Sequence, residues 1–259
     1  MVFRACLALV GGVFLGGSGA LAMDWSGPYV GVHGAQSSAQ SDLSTATEFV
    51  GIGYDESAGT YFQASSVGPI AASGLGALSP KAGSVGLMVG RNWQTGARVT
   101  GFEVDLGSMT LRSARSAGDV YPCCAPSTYQ LDQSMKMDWL VTARGRVGYA
   151  FNRSLVYATA GLALARVHVD AQFSDNVPAA RASTSLSRNQ LGWALGLGYE
   201  HGFQGGWSAK AELLHLNLGR VSSTSNNLVN TAGAFPASPF TTRARLRANQ
   251  MRVGLNKRW

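Results

Sequence analysis

The feature that most constrains the fold is a set of segments of about ten residues in which large apolar and small or polar residues alternate. The clearest is LGWALGLGYE, residues 191–200, which places leucine, tryptophan and tyrosine on one face and mainly glycine and alanine on the other. Alternation with period two is the geometry of a β-strand. After residue 22, no apolar run approaches the about 18 residues that a membrane helix needs. The sequence therefore predicts an all-β chain.

Strand-like segments alternate with connections of two lengths. Charged residues are only 14% of the 259 residues and glycines number 33, which suits a chain of strands and turns. The eight predicted strands are 28–36, 83–93, 98–110, 136–150, 155–169, 189–201, 207–219 and 244–259. Long connections span 37–82, 111–135, 170–188 and 220–243, and short ones span 94–97, 151–154 and 202–206. This order is typical of a transmembrane β-barrel with short periplasmic turns and four longer extracellular loops.

Residues 1–22 are predicted to be a secretory signal peptide. Arg4 is the only charge before an apolar stretch, and Ala20-Leu21-Ala22 has the small-x-small pattern that precedes cleavage. The alternative is a permanent membrane anchor, since residues 5–22 are just long enough to span. Cleavage would leave 23–259 as one barrel domain. The net charge of +7 could suggest nucleic acid, but export argues against that partner and favours a charged lipopolysaccharide surface.

Four segments in order carry a resemblance to a known family. DWSGPYVGVHGA, MDWLVTARGRVGYAF, WSAKAELLHLNLG and RVGLNKRW resemble the small outer-membrane β-barrel proteins of alphaproteobacteria, an OmpA-like group often described as porin-family proteins or surface antigens. The chain departs from that pattern at Leu214 and His215, where tyrosines are common, and at Trp259, where phenylalanine is usual. The resemblance implies an eight-stranded antiparallel up-and-down barrel in the outer membrane of a Gram-negative cell.

Alternation also predicts a set of charged residues on the inner face of the barrel. Because an eight-stranded barrel is just wide enough for side chains to fill, these charges should pair with one another. The predicted lumen charge network is Glu103, Asp105, Arg144, Arg146, Lys210, Glu212, Arg252 and Arg258. A ladder of ion pairs that sets strand register is the favoured interpretation. The alternative is a narrow, arginine-lined pore for small anions.

The last segment, MRVGLNKRW, is predicted to be the closing strand of the barrel. Met251, Val253 and Leu255 would face lipid, and Trp259 would anchor the strand at the interface. To leave no open edge, this strand should pair with the first strand near residues 29–35. The resemblance adds that a terminal aromatic residue is a signal read by the barrel-assembly machinery, which is therefore an expected partner.

The predicted function is a structural, envelope-stabilising and surface-interaction role through the extracellular loops. A narrow passive channel is one alternative. Binding of haem or a host molecule by the loops is another, with Tyr54, Tyr61, Tyr121 and Tyr129 as candidate haem contacts. No cofactor is predicted. An enzyme is disfavoured because no histidine has the compact His-x-Ser spacing expected of a lipid A deacylase.

Two adjacent cysteines, Cys123 and Cys124, remain in the exported chain. Adjacent cysteines cannot join distant segments. They could form a vicinal disulfide, pair with another chain or stay free. No histidine or further cysteine lies nearby, so a metal site has little support.

Overall fold

Eight long antiparallel strands form a closed ring. The computed structural model describes residues 23–51, 53–176 and 179–259, so the predicted signal peptide lies outside the described residues. The elements are β1 (Gly27–Thr47), α1 (Ala64–Gly74), β2 (Gly76–Leu78), β3 (Lys81–Thr95), β4 (Arg98–Val120), β5 (Thr128–Phe151), β6 (Ser154–Asp175), β7 (Arg181–Gly202), β8 (Trp207–Ser225) and β9 (Phe240–Arg258).

Closure of the ring is made by the first and last strands. β1 pairs with β9 from Tyr29 opposite Arg258 to Thr47 opposite Phe240, which confirms the predicted pairing and extends it well beyond residue 35. The short β2 is a ninth strand that pairs with β1 only at Ser41–Leu43 and lies in line with β3. The eight-stranded antiparallel barrel is therefore confirmed, with β2 as an addition. Within the described ranges, no helix is long and apolar enough to span a membrane.

The strands are much longer than predicted. β4 continues to Val120 instead of residue 110, and β5 begins at Thr128 instead of residue 136. The same holds for β1, β6, β7, β8 and β9, so large parts of all four predicted long loops are strand. Serine, threonine and arginine occupy the outward positions there, and this composition resembles a loop although the alternation persists.

Apolar residues change sides of the sheet along each strand. At the lower end of β9, Met251, Val253 and Leu255 are on the outside and are 58%, 58% and 51% exposed. Further up the same strand, Leu246 and Ala248 are on the inside and are 2% and 3% exposed. The lower barrel is thus apolar outside and polar inside, and the upper barrel is the reverse. Lower and upper here mean toward and away from the two chain termini.

The upper barrel opens into two four-stranded sheets. Pairing of β3 with β4 stops at Gly86–Gly107, and pairing of β7 with β8 stops at Trp193–Asn217. The other neighbours stay paired further up. β4–β7 then form one sheet, and β8, β9, β1 and the β3–β2 line form the other. Between the sheets lies a core of buried apolar side chains that includes Leu43, Met109, Leu111, Met135, Met137, Val167, Leu216 and Leu246.

The segment after β1 fills the upper mouth of the ring. The backbone carbonyl of Gly74, at the end of α1, accepts a 3.0 Å hydrogen bond from the buried amide of Gln133. A Cβ at Gly74 would lie 1.8 Å from the carbonyl oxygen of Thr45, so only glycine permits this approach. A second buried cluster, referred to below as the aromatic cluster, packs here; its larger members are Tyr61, Phe62, Ile70, Tyr121, Tyr129, Leu131, Phe173, Leu228, Phe235 and Phe240.

Candidate functional site

The lower interior of the barrel contains all eight charged residues predicted for the lumen. Each of them is buried, with at most 5% of its surface exposed. The structure adds a ninth, Glu200, which is 1% exposed. Glu200 shares a face of β7 with Ala194 and Gly198. The predicted network omits Glu200, although the parity of position 200 is sufficient to include it.

Arg144 on β5 is the centre of the network. Its Nη2 atom lies 2.7 Å from Oε1 of Glu103 and 3.1 Å from Oδ2 of Asp105. Its Nη1 atom donates to Oε1 of Glu212, and its Nε atom donates to the hydroxyl of Thr142 at 2.9 Å. One guanidinium therefore binds carboxylates from two different walls of the barrel.

Other ion pairs cross the interior. The Nζ atom of Lys210 on β8 lies 2.7 Å from Oε2 of Glu103 on β4. Three strands separate β4 from β8 in either direction around the ring, so this pair spans the full width of the lumen. Arg252 on β9 reaches Oδ1 of Asp105 at 3.1 Å. These side chains block the barrel axis at the level of Glu103 and Asp105.

A second tier of charges lies nearer the termini. Nη2 of Arg146 lies 2.8 Å from Oε2 of Glu200, and its guanidinium carbon is 3.9 Å from the ring centre of Tyr157. The Tyr29 hydroxyl donates to Oε2 of Glu103 at 2.8 Å. Nη2 of Arg258 lies 3.5 Å from Oε1 of Glu200. The network thus joins five cations to four carboxylates, and every member has an opposite charge within reach.

Glycine on the inner face makes room for large side chains. A Cβ at Gly198 would lie 2.2 Å from the Tyr157 ring, and that ring in turn carries the Arg146 guanidinium. The interior is therefore crowded behind the glycine-rich face of β7. Because the interior is packed this densely, its side chains are suited to holding the strands together. In the described part of the chain, no group of three or more histidine, cysteine or acidic side chains could hold a metal ion.

Aromatic side chains border the apolar outer band at its lower edge. They include Trp93, Tyr149, Phe151, Tyr199, Phe203, Trp207 and Trp259, which are 45–68% exposed. Trp259 directly follows β9; its backbone N–H lies 3.4 Å from the carbonyl of Pro28, and its side chain is 68% exposed. The terminal residue therefore completes the outward row of Met251, Val253 and Leu255.

Above the apolar band, β8 and β9 carry a cluster of outward arginines. This arginine patch consists of Arg220, Arg243, Arg245 and Arg247. Arg220 lies opposite Arg245 in the strand register. Among the described residues, no side chain pairs with any of the four. The nearest acid by register is Asp42, opposite Arg245 on β1. Four unpaired cations on one wall form a surface suited to anions.

The candidate haem tyrosines have other partners. The hydroxyls of Tyr61 and Tyr121 donate to Oδ2 of Asp175 at 2.7 and 2.9 Å, and Tyr129 shares a 2.9 Å hydrogen bond with Ser73. Tyr54 is exposed and donates to Glu56. Burial raises the pKa of Tyr61 and of Tyr121, and the neighbouring Asp175 raises both further. These two phenols therefore stay protonated as hydrogen-bond donors.

The two cysteines are bonded to each other. Cys123 and Cys124 form a vicinal disulfide in the turn between β4 and β5. The turn is held by backbone hydrogen bonds from Cys124 to Tyr121 and from Ser127 to Cys124. Of the three states that the sequence left open, the structure therefore has the intrachain one.

One histidine lies beside a serine at the lower rim. Nδ1 of His201 is 3.0 Å from the hydroxyl of Ser154, a proximity that sequence spacing did not reveal because the two residues lie on neighbouring strands. The Tyr199 hydroxyl also contacts Ser154, at 2.9 Å. No carboxylate of the described chain contacts His201, so the pair lacks the group that orients a catalytic histidine.

Comparison with known proteins agrees with this architecture. Residues 5–256 match the family described as outer membrane protein beta-barrel domain. The chain is 31% identical over 173 residues to the 31 kDa outer-membrane immunogenic protein of Brucella melitensis, covering 66% of this chain and 64% of that protein. It is 34% identical over 114 residues to the 22 kDa outer membrane protein of Rhizobium leguminosarum, covering 44% of this chain and 42% of that one.

A solved structure resembles the fold distantly. The outer membrane protein OprG from Pseudomonas aeruginosa has a TM-score of 0.48 and 10% identity, with 90% of this chain and 96% of that chain covered. A likeness this weak carries no argument about function. The match to the family, together with the closed ring and its apolar outer band, shows that this chain belongs to the outer-membrane β-barrel proteins and lies in the outer membrane of a Gram-negative cell.

Proposed function

We propose that this protein is a closed, non-conducting membrane anchor that holds the upper barrel, with its two four-stranded sheets, outside the cell. The observation that carries this proposal is the charge network that crosses the barrel axis. Lys210 and Glu103 join opposite walls, and the apolar core and the aromatic cluster fill the ring above them. A barrel filled over its whole length acts through its outer surfaces, which supports a structural and surface-interaction role.

Single-channel recording tests the closed barrel directly. The refolded full-length mature protein is inserted into planar bilayers, and the expected trace is flat at both polarities. Heat-modifiable gel mobility of the same sample verifies that the barrel has folded. Regular conductance steps from folded protein, with selectivity for anions, would support the arginine-lined pore instead and would overturn this proposal.

We further propose that the arginine patch binds the phosphate groups of lipopolysaccharide. Strands rise about 3.3 Å per residue and tilt by about 40°, which places Arg247 about 10 Å and Arg243 about 20 Å above Met251. Met251 is the uppermost outward apolar residue of β9. These heights correspond to the anionic headgroup layer of the outer leaflet. Guanidinium groups bind phosphate with two parallel hydrogen bonds, so four unpaired arginines favour this ligand.

Matched arginine variants test the lipid proposal. Arg243, Arg245 and Arg247 are changed together to glutamine. The control changes Arg112, Arg166 and Arg181 to glutamine; these three residues lie on the outer surface of the other sheet. Added lipopolysaccharide should raise the unfolding midpoint of the wild type and of the control but much less that of the patch variant. Equal stabilisation of all three proteins would contradict a specific role for the patch.

A further inference from the structure

A cavity of about 290 Å³ opens at the upper end of the molecule. Three connections meet there: the segment between β1 and α1, the β4–β5 turn and the end of β6. The charge network lies at the other end of the barrel and contributes nothing to this cavity. Its size is at the lower end of ligand pockets, which span about 300–1,000 Å³, so it fits a small group and not a haem.

The walls of the cavity are mainly aromatic and rigid. Tyr54, Tyr61, Phe62 and Tyr121 line it together with the Cys123–Cys124 disulfide. The ring centres of Tyr61 and Phe62 are 5.1 Å apart in an edge-to-face contact. Phe62 belongs to the aromatic cluster and packs on other members of it beneath the cavity. The disulfide adds an apolar surface whose position is fixed by the hydrogen-bonded turn.

Asp175 is the one charged side chain among the described residues that line the cavity. Its carboxylate accepts hydrogen bonds from the Tyr61 and Tyr121 hydroxyls at 2.7 and 2.9 Å and from the backbone N–H of Ala180 at 2.8 Å. The cavity therefore combines aromatic walls with a fixed negative charge.

We propose that this cavity binds a small organic cation with an alkylated ammonium group. Aromatic faces attract such cations through the ring quadrupole. The Asp175 carboxylate adds a Coulombic attraction for cations and repels anions. The methyl groups of an alkylated ammonium suit the apolar walls, whereas a bare, strongly hydrated ammonium would lose its water there. The inference deepens the surface-interaction role proposed above, but binding is measured separately from conductance, so either can fail alone.

Calorimetric titration with choline chloride tests the proposal. The full mature protein is placed in phosphatidylglycerol nanodiscs, which contain no choline headgroup. The comparison ligand is 3,3-dimethylbutan-1-ol, which has the shape of choline without its charge. Choline should bind saturably, and the neutral alcohol should bind at least about tenfold more weakly. Equal affinity for the two ligands, or no heat of binding for choline, would overturn the proposal.

Two variants connect binding to this cavity. Asp175→Asn keeps the shape and removes the charge, and it should weaken choline binding about tenfold. Asp170→Asn makes the same change on the outer face of the same strand and should leave binding unchanged. If Asp175→Asn fails to fold, Tyr54→Ala removes an aromatic wall from an exposed position and should also weaken binding. Unchanged affinity in a folded cavity variant would refute the assignment.

Discussion

Replacing Arg144 with methionine is the sharpest test of the charged interior. Its guanidinium contacts Glu103, Asp105 and Glu212, and the residue as a whole is 3% exposed. Removal leaves Glu212 with a single cationic neighbour, Lys210, at 3.5 Å. Breaking a buried ion pair by removing one partner costs about 3–5 kcal/mol, because the remaining charge is uncompensated. We expect a loss of this size in the free energy of unfolding.

Urea unfolding of the refolded protein in phospholipid vesicles measures this loss by tryptophan fluorescence. Lys136→Met is the matched control, since Lys136 forms a 2.6 Å ion pair with Asp138 on the outer surface and its side chain is 40% exposed. Exposed pairs contribute about 0–1 kcal/mol, so the control should unfold nearly as the wild type does.

A double variant separates charge from packing. Arg144→Met combined with Glu212→Gln removes the orphaned carboxylate together with its cation, and it should recover part of the stability lost in the single variant. If Arg144→Met costs no more than Lys136→Met, the interior charges are hydrated instead of paired. The proposal of a closed barrel would then lose its main support.

Four further outcomes follow from the same structure. Gly198→Val should cost about 1–3 kcal/mol through overpacking against Tyr157, whereas Gly34→Val, where a Cβ meets nothing within 4 Å, should cost little in the same urea assay. Leu195→Arg on the apolar band should cost about 2–4 kcal/mol in vesicles, while Ser185→Arg, outward on the same strand but above the band, should be neutral. Deletion of Trp259 should reduce the heat-modifiable, folded fraction in outer membranes more than it changes the stability of protein refolded in vitro; normal assembly would contradict the prediction that Trp259 is an assembly signal. The pKa values of Tyr61 and Tyr121 are raised in the folded protein. The two tyrosines therefore stabilise the folded protein at pH values below the usual tyrosine pKa of about 10, and this contribution is lost as the pH rises above it. Absorbance at the phenolate band should show these two tyrosines ionising only on unfolding.

Sequence alternation was sufficient for the lower barrel. Each strand there has to place apolar side chains against lipid and leave the other face for the interior, so parity alone assigned Glu103 and Arg144 to the lumen and Met251 to the outside. The aromatic border and the closing role of the last strand follow from the same local pattern. The predicted lumen charge network omits Glu200 because its face of β7 consists mainly of glycine and alanine.

The upper barrel needed the tertiary structure because its pattern is locally ambiguous. Ala39 and Leu43 face inward there, but their neighbours in sequence are serine, glutamine and aspartate, which in a short window resemble a polar loop. Only pairing with a strand far away in sequence, such as β1 with β9, identifies them as strand. The split into two sheets depends on where such pairing stops, and no local signal marks that point.

The sequence by itself thus determined the eight-stranded barrel, its apolar band and most of its interior charges, because alternation is a property of each strand alone. The three-dimensional arrangement decided which charges meet. Lys210 and Glu103 are 107 residues apart, and Tyr61 and Asp175 are separated by 114. Partner choice across a ring and convergence of three connections on one cavity depend on strand register and closure, which arise only when the whole chain has folded.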